Sequence, residues 1–247
     1  MSSSTFNLHI YYRHVHMKHE VRSRDPNKIR PEWFDYEKSF TNLLQTLDSS
    51  PLAANVTLTV VYDGSLGEFT EDFMHKHCGV GRKYPFQVKI VEAGSNHKSW
   101  LVALDQARSA PIADTDLIYF VENDYLHLPG WLEKVYELHA SGIRFDYLSL
   151  YDHMDKYFLP MYIELTAKIF VTASHHWRTT PSTCGTFLLR RGTLIEDIAL
   201  WASEVQDHFI CTELCQNRGR VLLTPMPGLA THSMRGYLSP TVDWAKV

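Results

Sequence analysis

An acidic triplet at the end of an apolar run is the sharpest chemical signal in the sequence. Glu122, Asn123 and Asp124 directly follow the run LIYFV at 117–121. Alternation along an extended chain predicts that Glu122 and Asp124 point to the same side. Two neighbouring carboxylates repel each other unless a cation or a proton joins them. Carboxylate oxygens suit a hard divalent ion such as Mg²⁺ or Mn²⁺, so the triplet predicts a metal site.

Polar residues also follow the three apolar runs that come earlier in the chain. Arg13 and His14 end the first run, and Asp63 ends the second. A polar stretch at 92–96 follows the third. Ligands of open parallel sheets bind beyond the carboxyl ends of the strands. Any one polar strand end can equally be a loop that meets water, but four at one edge predict a binding site.

The elements that must position these residues are short apolar runs and helical patterns in alternation. Four runs rich in β-branched and aromatic residues are typical of strands buried on both faces; they lie at 8–12, 56–62, 86–91 and 117–121. Helical patterns lie at 30–47, 66–77 and 99–110, and Pro31 suits the first turn of the first helix. The alternation predicts parallel crossover units and an α/β fold with a central, mostly parallel sheet flanked by helices.

The second half of the chain is less regular. Strands are predicted at 147–151, 185–191 and 221–225, and one or two helices at 194–219. The segment from Lys18 to Lys28 is polar and is predicted to be mobile. Because no internal repeat or linker interrupts the pattern, we predict a single domain over 1–247.

The composition excludes several classes of function. A net charge of -4 and a pI near 6.4 give no electrostatic footprint for nucleic acid. The sequence shows neither a signal-peptide pattern at its start nor an apolar run of the roughly 18 to 20 residues that a transmembrane helix needs. The 4 cysteines are predicted to be reduced thiols. Together these features predict a cytoplasmic protein.

The segment LIYFVENDYLHLPGWL at 117–132 resembles the corresponding segment of nucleotide-sugar glycosyltransferases of the GT-A fold, particularly the family-2-like group. In that family an Asp-x-Asp-type motif follows the fourth strand and holds a metal on the diphosphate of the sugar nucleotide. The resemblance implies a single GT-A-like, Rossmann-like domain. Residues 1–130 would form its nucleotide-sugar-binding half, and residues 131–247 its acceptor-binding half.

The same resemblance implies roles for residues along most of the chain. Glu122, Asp124 and His232, which follows the last strand, would hold Mn²⁺ or Mg²⁺. Asp63 would contact the base or ribose of the nucleotide, and Arg235 would meet the diphosphate. The full set that would bind the nucleotide sugar is Arg13, Asp63, Asn96, Lys98, Asn123 and Arg235.

A transferase that inverts configuration also needs a carboxylate to take the proton of the acceptor hydroxyl. Glu204, Asp207 and Glu213 are the candidates, and Asp207 is preferred because Gln206-Asp207 resembles the Glu-Asp pair of the family. An ordinary helix-capping or surface carboxylate is the alternative.

Trp177 and Arg178 precede that helix and are predicted to bind the acceptor, Trp177 by stacking on a sugar and Arg178 by pairing with an anion. For Trp177 the alternative is a partly buried residue that anchors a loop.

Three functions remain open at this stage. We predict transfer of a sugar from a nucleotide-diphosphate sugar to a glycan or other hydroxyl acceptor, dependent on metal and with inversion. A nucleotidyltransferase acting on a sugar phosphate would carry a glycine-rich basic loop after the first strand, and no glycine occurs at 11–24. A non-catalytic sugar-binding protein would keep the fold without needing the acids. His208, Cys211 and Cys215 lack the second ligand pair of a structural zinc site and are predicted to be core residues.

Overall fold

The structure is a computed structural model that describes residues 6–16 and 28–247. Most of the segment 18–28, for which the sequence predicts mobility, lies outside the described residues. The described strands are β1 Leu8–Val15, β2 Val56–Asp63, β3 Phe86–Val91, β4 Leu117–Glu122, β5 Tyr125–His127, β6 Tyr147–Leu148, β7 Ile169–Val171, β8 His176–Thr179, β9 Phe187–Arg190, β10 Leu222–Met226 and β11 Ala230–His232.

The described helices are α1 Tyr36–Ser49, α2 Leu66–Glu71, α3 Asn96–Ser109, α4 Trp131–Ala140, α5 Arg191–Trp201 and α6 Asp207–Thr212. A π-helical turn at Glu213–Asn217 continues α6. Short 3₁₀ turns lie at Ala53–Asn55, Phe73–His77, Met154–Tyr157, Pro160–Tyr162 and Trp244–Lys246. Of the helices in the described ranges, none is at once long enough and apolar enough to cross a membrane.

Nine of the described strands form one sheet in the order β3-β2-β1-β4-β9-β6-β10-β8-β7. Strands β1 to β4 are parallel, β6 and β10 are parallel to each other, and β9 is antiparallel to both of its neighbours. Because β8 also opposes both of its neighbours, only β8 and β9 run against the other strands. The predicted α/β fold with a mostly parallel central sheet is therefore confirmed.

Helices cover both faces of this sheet. On one face, α1 buries Phe40, Leu43 and Leu47 in a cluster that also contains α4. On the other face, α3 and α5 bury an aromatic cluster in which Trp201 stacks on Phe187 with ring centroids 4.2 Å apart. Because helices cover both faces of the sheet, a ligand can reach it at the carboxyl ends of the strands.

The first helix begins later than the sequence predicts. The side chain of Asp35 accepts a hydrogen bond of 2.9 Å from the backbone N–H of Lys38, and α1 therefore starts at Tyr36. Pro31 lies before the helix and not in its first turn, so that prediction is wrong. Residues 28–31 instead approach without regular secondary structure, and a turn at 32–33, in which the N–H of Phe34 donates to the oxygen of Pro31 at 3.1 Å, precedes the helix. Lys28 and Arg30 thereby lie at the edge of the sheet.

Candidate active site at the carboxyl edge of the sheet

A cavity of about 290 Å³ opens at the carboxyl ends of β1, β2 and β4. Six residues that the sequence singles out line it: Arg13, Asp63, Asn96, Glu122, Asn123 and Asp124. Residues from distant parts of the chain meet here because of strand register, since parallel pairing of β1 with β4 sets Arg13 beside Glu122. The strand ends therefore converge on one cavity.

A second cavity of about 420 Å³ adjoins the first and extends towards α5 and α6. The two share Arg13, Asn96 and Glu122, and the second also contains Asp207. The side chain of Arg13 is held between the two cavities, because its Nη2 donates to the side chain of Asn96 and its guanidinium lies 5.4 Å from the centre of the Trp100 ring.

Asp124 is buried among positively charged groups. Its Oδ2 accepts a hydrogen bond of 2.7 Å from Arg30 Nη2 and lies 3.6 Å from Lys28 Nζ. His232 Nε2 lies 3.0 Å from the same oxygen. Burial by itself would raise the pKa of Asp124, but His232, Lys28 and Arg30 together hold it well below its usual value. Asp124 is therefore an anion at any physiological pH.

A small second sheet positions His232, the neighbour of Asp124 that is farthest from it in sequence. Strand β11 pairs antiparallel with β5, which sets His232 opposite Tyr125. The two rings stack with centroids 5.2 Å apart, and this stacking orients the imidazole towards Asp124. The structure thus brings His232 and Asp124 together, as the sequence predicts.

Glu122 has different surroundings from Asp124. Strand β4 ends at Glu122 and the chain turns at Asn123-Asp124, so the alternation that would place both carboxylates on one side does not continue. The carboxylate of Glu122 lies beside Gly185, where an added methyl group would be 3.6 Å from it. Glu122 therefore lies between the two cavities, where its charge acts on Lys28 in the first and on Asp207 in the second.

Asp207 begins α6 and borders the second cavity. Burial and the negative charge of Glu122 raise its pKa to about 6, while Arg13 and a hydrogen bond from the Gly185 backbone oppose the rise. A carboxylate in this position can take up a proton near neutral pH.

Of the three predicted metal ligands, only Asp124 and His232 lie together as a pair that suits a divalent ion. No group of three or more His, Cys, Asp and Glu side chains suited to a metal occurs among residues 6–16 and 28–247. Asp124 and His232 adjoin, and Asp124 Oδ1 is buried without a hydrogen-bond partner in the described part of the chain. Glu122 lines both cavities and does not complete a three-ligand group with this pair among the described residues, so its predicted metal contact stays a prediction.

Comparison with known proteins places this geometry in a known fold. No protein-family model and no curated protein sequence matches the chain. The structure of TarS 1-349 from S. aureus matches with a TM-score of 0.52 and 13% identity, over 89% of this chain and 58% of that one. GalNAc-T7, solved with UDP, GalNAc and Mn²⁺, matches with a TM-score of 0.58 and 10% identity, over 96% of this chain and 46% of that one.

Both of these structures are GT-A-type nucleotide-sugar glycosyltransferases. This chain has the GT-A fold. It spans about half the length of each of these two relatives, 58% and 46%. The identities are low enough that the likeness establishes the fold alone.

Two predicted acceptor residues lie elsewhere in this GT-A fold. Trp177 is fully buried on β8, between β10 and β7, and its Nε1 donates to Thr172 Oγ1. It is a core residue and has no face free for a sugar, so the stacking prediction is wrong. Arg178 is buried and donates to Asp152 at 2.7 Å. Arg178 borders neither of the two cavities described above but lines a separate one, so its predicted role in acceptor binding stays a prediction.

Two of the predicted nucleotide-binding residues also lie outside the cavities of the GT-A site. Lys98 is exposed on the first turn of α3, and Arg235 is exposed after β11. Neither lines the first cavity, whereas Asn96 from the same turn as Lys98 does. A different arginine, Arg30, lies in the first cavity beside Asp124.

Sequence reasoning missed Lys28 and Arg30, although a signal for them exists. Lys28-Ile29-Arg30 alternates cation, apolar residue, cation, so an extended chain directs both cations to one side. In the structure both line the cavity, while Ile29 is 60% exposed. His14 also lines the cavity and accepts a hydrogen bond of 3.1 Å from Asn123 Nδ2.

Proposed function

We propose that the protein transfers a sugar from a nucleotide-diphosphate sugar to the hydroxyl group of a glycan or another acceptor, with inversion of configuration. The observation that carries the proposal is the pair of adjoining cavities that share Arg13 and Glu122. The first cavity holds three cations, Arg13, Lys28 and Arg30, together with three carboxylates. The second contains Asp207, a half-buried carboxylate with a raised pKa, and such a transfer needs this division of chemistry.

The first cavity would bind the donor. Arg13, Lys28 and Arg30 would face the diphosphate as cations, and Asn96 and Asn123 offer amide groups to the nucleotide. Asp63 accepts hydrogen bonds of 2.8 and 3.3 Å from the backbone N–H groups of Ala93 and Gly94, so it also fixes the turn that closes this cavity. Solved relatives with UDP support a nucleotide donor for this fold.

The second cavity would bind the acceptor. Asp207 would take the proton of the acceptor hydroxyl as its oxygen attacks the anomeric carbon of the sugar. The bond from that carbon to the diphosphate breaks, and the nucleoside diphosphate leaves with the bonding electrons. Because base and leaving group lie on opposite sides of the sugar in this arrangement, the configuration is inverted.

A divalent ion, Mn²⁺ or Mg²⁺, fits the pair of Asp124 and His232 and would offset charge on the departing diphosphate. The unpartnered Asp124 Oδ1 is the observation that supports this assignment. Lys28 and Arg30 lie on the other oxygen, so the same carboxylate would also keep two cations in place beside the diphosphate.

A donor panel tests the proposal. UDP-, GDP-, ADP- and CDP-sugars are mixed with the protein, with Mn²⁺, with Mg²⁺ or with EDTA, and thermal stability and nucleotide release are measured. We expect one nucleotide class to stabilise the protein and to be released when an acceptor is present. Stabilisation without release under every condition would favour a non-catalytic sugar-binding protein, and no stabilisation by any donor would exclude the proposed function.

A further inference from the structure

Lys28 and Arg30 are the two cations in the wall of the donor cavity that form ion pairs with Asp124. The side chain of Arg30 is only 4% exposed, and that of Lys28 is 32% exposed. Both approach the same oxygen of Asp124. Asp124 Oδ2 therefore faces two permanent cations, and Glu122, which lines the same cavity, also acts on Lys28.

Arg30 is held in place by contacts that do not use up its donors. Its Nη1 donates to the backbone oxygen of Ser233 at 2.9 Å, and its guanidinium lies 4.6 Å from the centre of the Phe34 ring. Its Nε is buried and has no hydrogen-bond partner in the described part of the chain. A fixed, partly desolvated guanidinium with spare N–H capacity is suited to phosphate oxygens.

The backbone around these cations is fixed as well. The N–H of Arg235 donates to the oxygen of Ile29 at 2.7 Å, and the N–H of Ser233 donates to the oxygen of Asp124 at 2.8 Å. The segment that carries the two cations is thereby joined to the end of β4 and to the chain after β11. The cations are positioned before any ligand arrives, which reduces the entropic cost of binding.

We propose that Lys28 and Arg30 bind the diphosphate of the donor directly, Arg30 through its guanidinium group and Lys28 as a point charge, and that this contact does not require a divalent ion. The inference rests on the proposed function, because it names the groups that hold the nucleoside diphosphate in the same cavity. It also gives a reason for the burial of Asp124, which keeps both cations at the cavity wall when the donor is absent.

The test compares nucleoside diphosphates with monophosphates by calorimetry in EDTA. The probes are UDP, GDP, ADP and CDP and the matching monophosphates, measured on the wild-type chain and on Lys28→Gln, Arg30→Lys and Arg108→Gln. Arg108→Gln is the matched control, because Arg108 is half-exposed at the end of α3, lies outside the cavity, and its side chain pairs, within the described ranges, only with Asp105 of the same helix. Arg30→Lys keeps the charge that Asp124 needs, so it avoids the unfolding that a neutral residue would risk.

We expect the wild-type chain to bind one diphosphate in EDTA and to bind the corresponding monophosphate more weakly. Lys28→Gln and Arg30→Lys should each weaken diphosphate binding about tenfold, as expected for loss of a charged hydrogen bond, and Arg108→Gln should not change it. Melting curves confirm that each variant is folded.

Two results would overturn the inference while leaving the proposed function intact. One is diphosphate binding that occurs only when Mn²⁺ or Mg²⁺ is added. The other is wild-type affinity in both Lys28→Gln and Arg30→Lys. Failure of every diphosphate to bind the wild-type chain, with or without metal, would instead reject the proposed function itself.

Discussion

Asp124, which is buried, and Asp207, which is half-buried, lie at the same edge of the sheet and have opposite electrostatic environments. Asp124 is surrounded by Lys28, Arg30 and His232, which keep its pKa well below the usual value despite burial. Asp207 lies near Glu122, and its pKa rises to about 6. One residue type can therefore serve as a permanent anion at one position and as a proton acceptor at another.

The raised pKa of Asp207 predicts how the transfer rate depends on pH. Because the base must be deprotonated to accept a proton, the rate of nucleotide release should rise through about pH 6 and level off above it. The measurement is release of nucleotide between pH 4.5 and 8, with Asp105→Asn, an exposed carboxylate of α3, as the control. A rate that is flat from pH 5 to 8 would contradict the role of Asp207.

The free energy of unfolding should change with pH in the direction opposite to that of the transfer rate. The folded pKa of Asp207, about 6, lies above the value of about 3.9 for an unfolded aspartate, so the folded state holds its proton more tightly. The contribution of Asp207 to the free energy of unfolding therefore falls as pH rises from about 4 to about 6. Asp207→Asn should be at least as stable as the wild type at pH 8 in denaturant unfolding. Marked loss of stability in this variant would indicate a structural role instead.

The buried pair of Asp124 and Arg30 predicts strong energetic coupling. Removing Arg30 takes away the shortest charged hydrogen bond of Asp124 and leaves Lys28 and His232 as its partners, so Arg30→Gln alone should lower the free energy of unfolding by about 2 kcal/mol. In an Asp124→Asn background the same change should cost much less. A double-mutant cycle measured by urea unfolding tests this, and simple additivity of the two changes would show that the pair is not coupled.

At the scale of elements, the short strands β5 and β11 position side chains of the candidate site. Their pairing brings His232 to Asp124 across 108 residues of sequence. The long buried strands could be predicted because their apolar runs are continuous. Strands of three residues, such as β5, β7 and β11, could not, because they are too short to show any period. The prediction that Trp177 stacks on a sugar was wrong for the same reason, because β7 and the pairing of β8 could not be predicted.

Gly228 connects β10 to β11, and its lack of a side chain is needed there. A methyl group at this position would lie 2.0 Å from Ser239 Oγ and 3.1 Å from the backbone nitrogen of Asp152. Gly228→Ala should therefore lower the free energy of unfolding by about 1–3 kcal/mol and weaken donor binding, because β11 and His232 must shift.

Gly67 in α2 is the matched control for this substitution. A methyl group there meets only Ser65 Oγ, at 4.0 Å, so Gly67→Ala should be neutral or should stabilise the helix by up to about 1 kcal/mol. Equal stability of the Gly228 and Gly67 variants in urea would contradict the tight fit at Gly228.

At the scale of the whole molecule, the fold places the cavity that contains Asp124 beside the cavity that contains Asp207. Fold class and the meeting of strand ends follow from periodicity, which a single sequence displays. The division of the chain into a donor half at 1–130 and an acceptor half at 131–247 stays a prediction. His232 belongs to the second half by sequence, yet it lies against Asp124.

What sequence reasoning could not supply is the direction of individual side chains after a strand ends. Glu122 and Asp124 share a motif, but the turn between them separates their surroundings. Arg235 and Arg30 are both cations near the same edge, and only the described geometry distinguishes the exposed one from the buried one. Loop conformation decides such cases, because no residue period continues through a turn.

The central claim is sugar transfer with Asp207 as the base, and one measurement tests it most directly. Nucleotide release from the stabilising nucleotide sugar, with an acceptor present, is compared for the wild-type chain and Asp207→Asn at pH 7.5, and donor binding is measured for both. We predict equal donor binding, release by the wild type, and a rate at least about a hundredfold lower in Asp207→Asn. Equal release by both proteins, or no release by the wild type with any donor and acceptor, would contradict it.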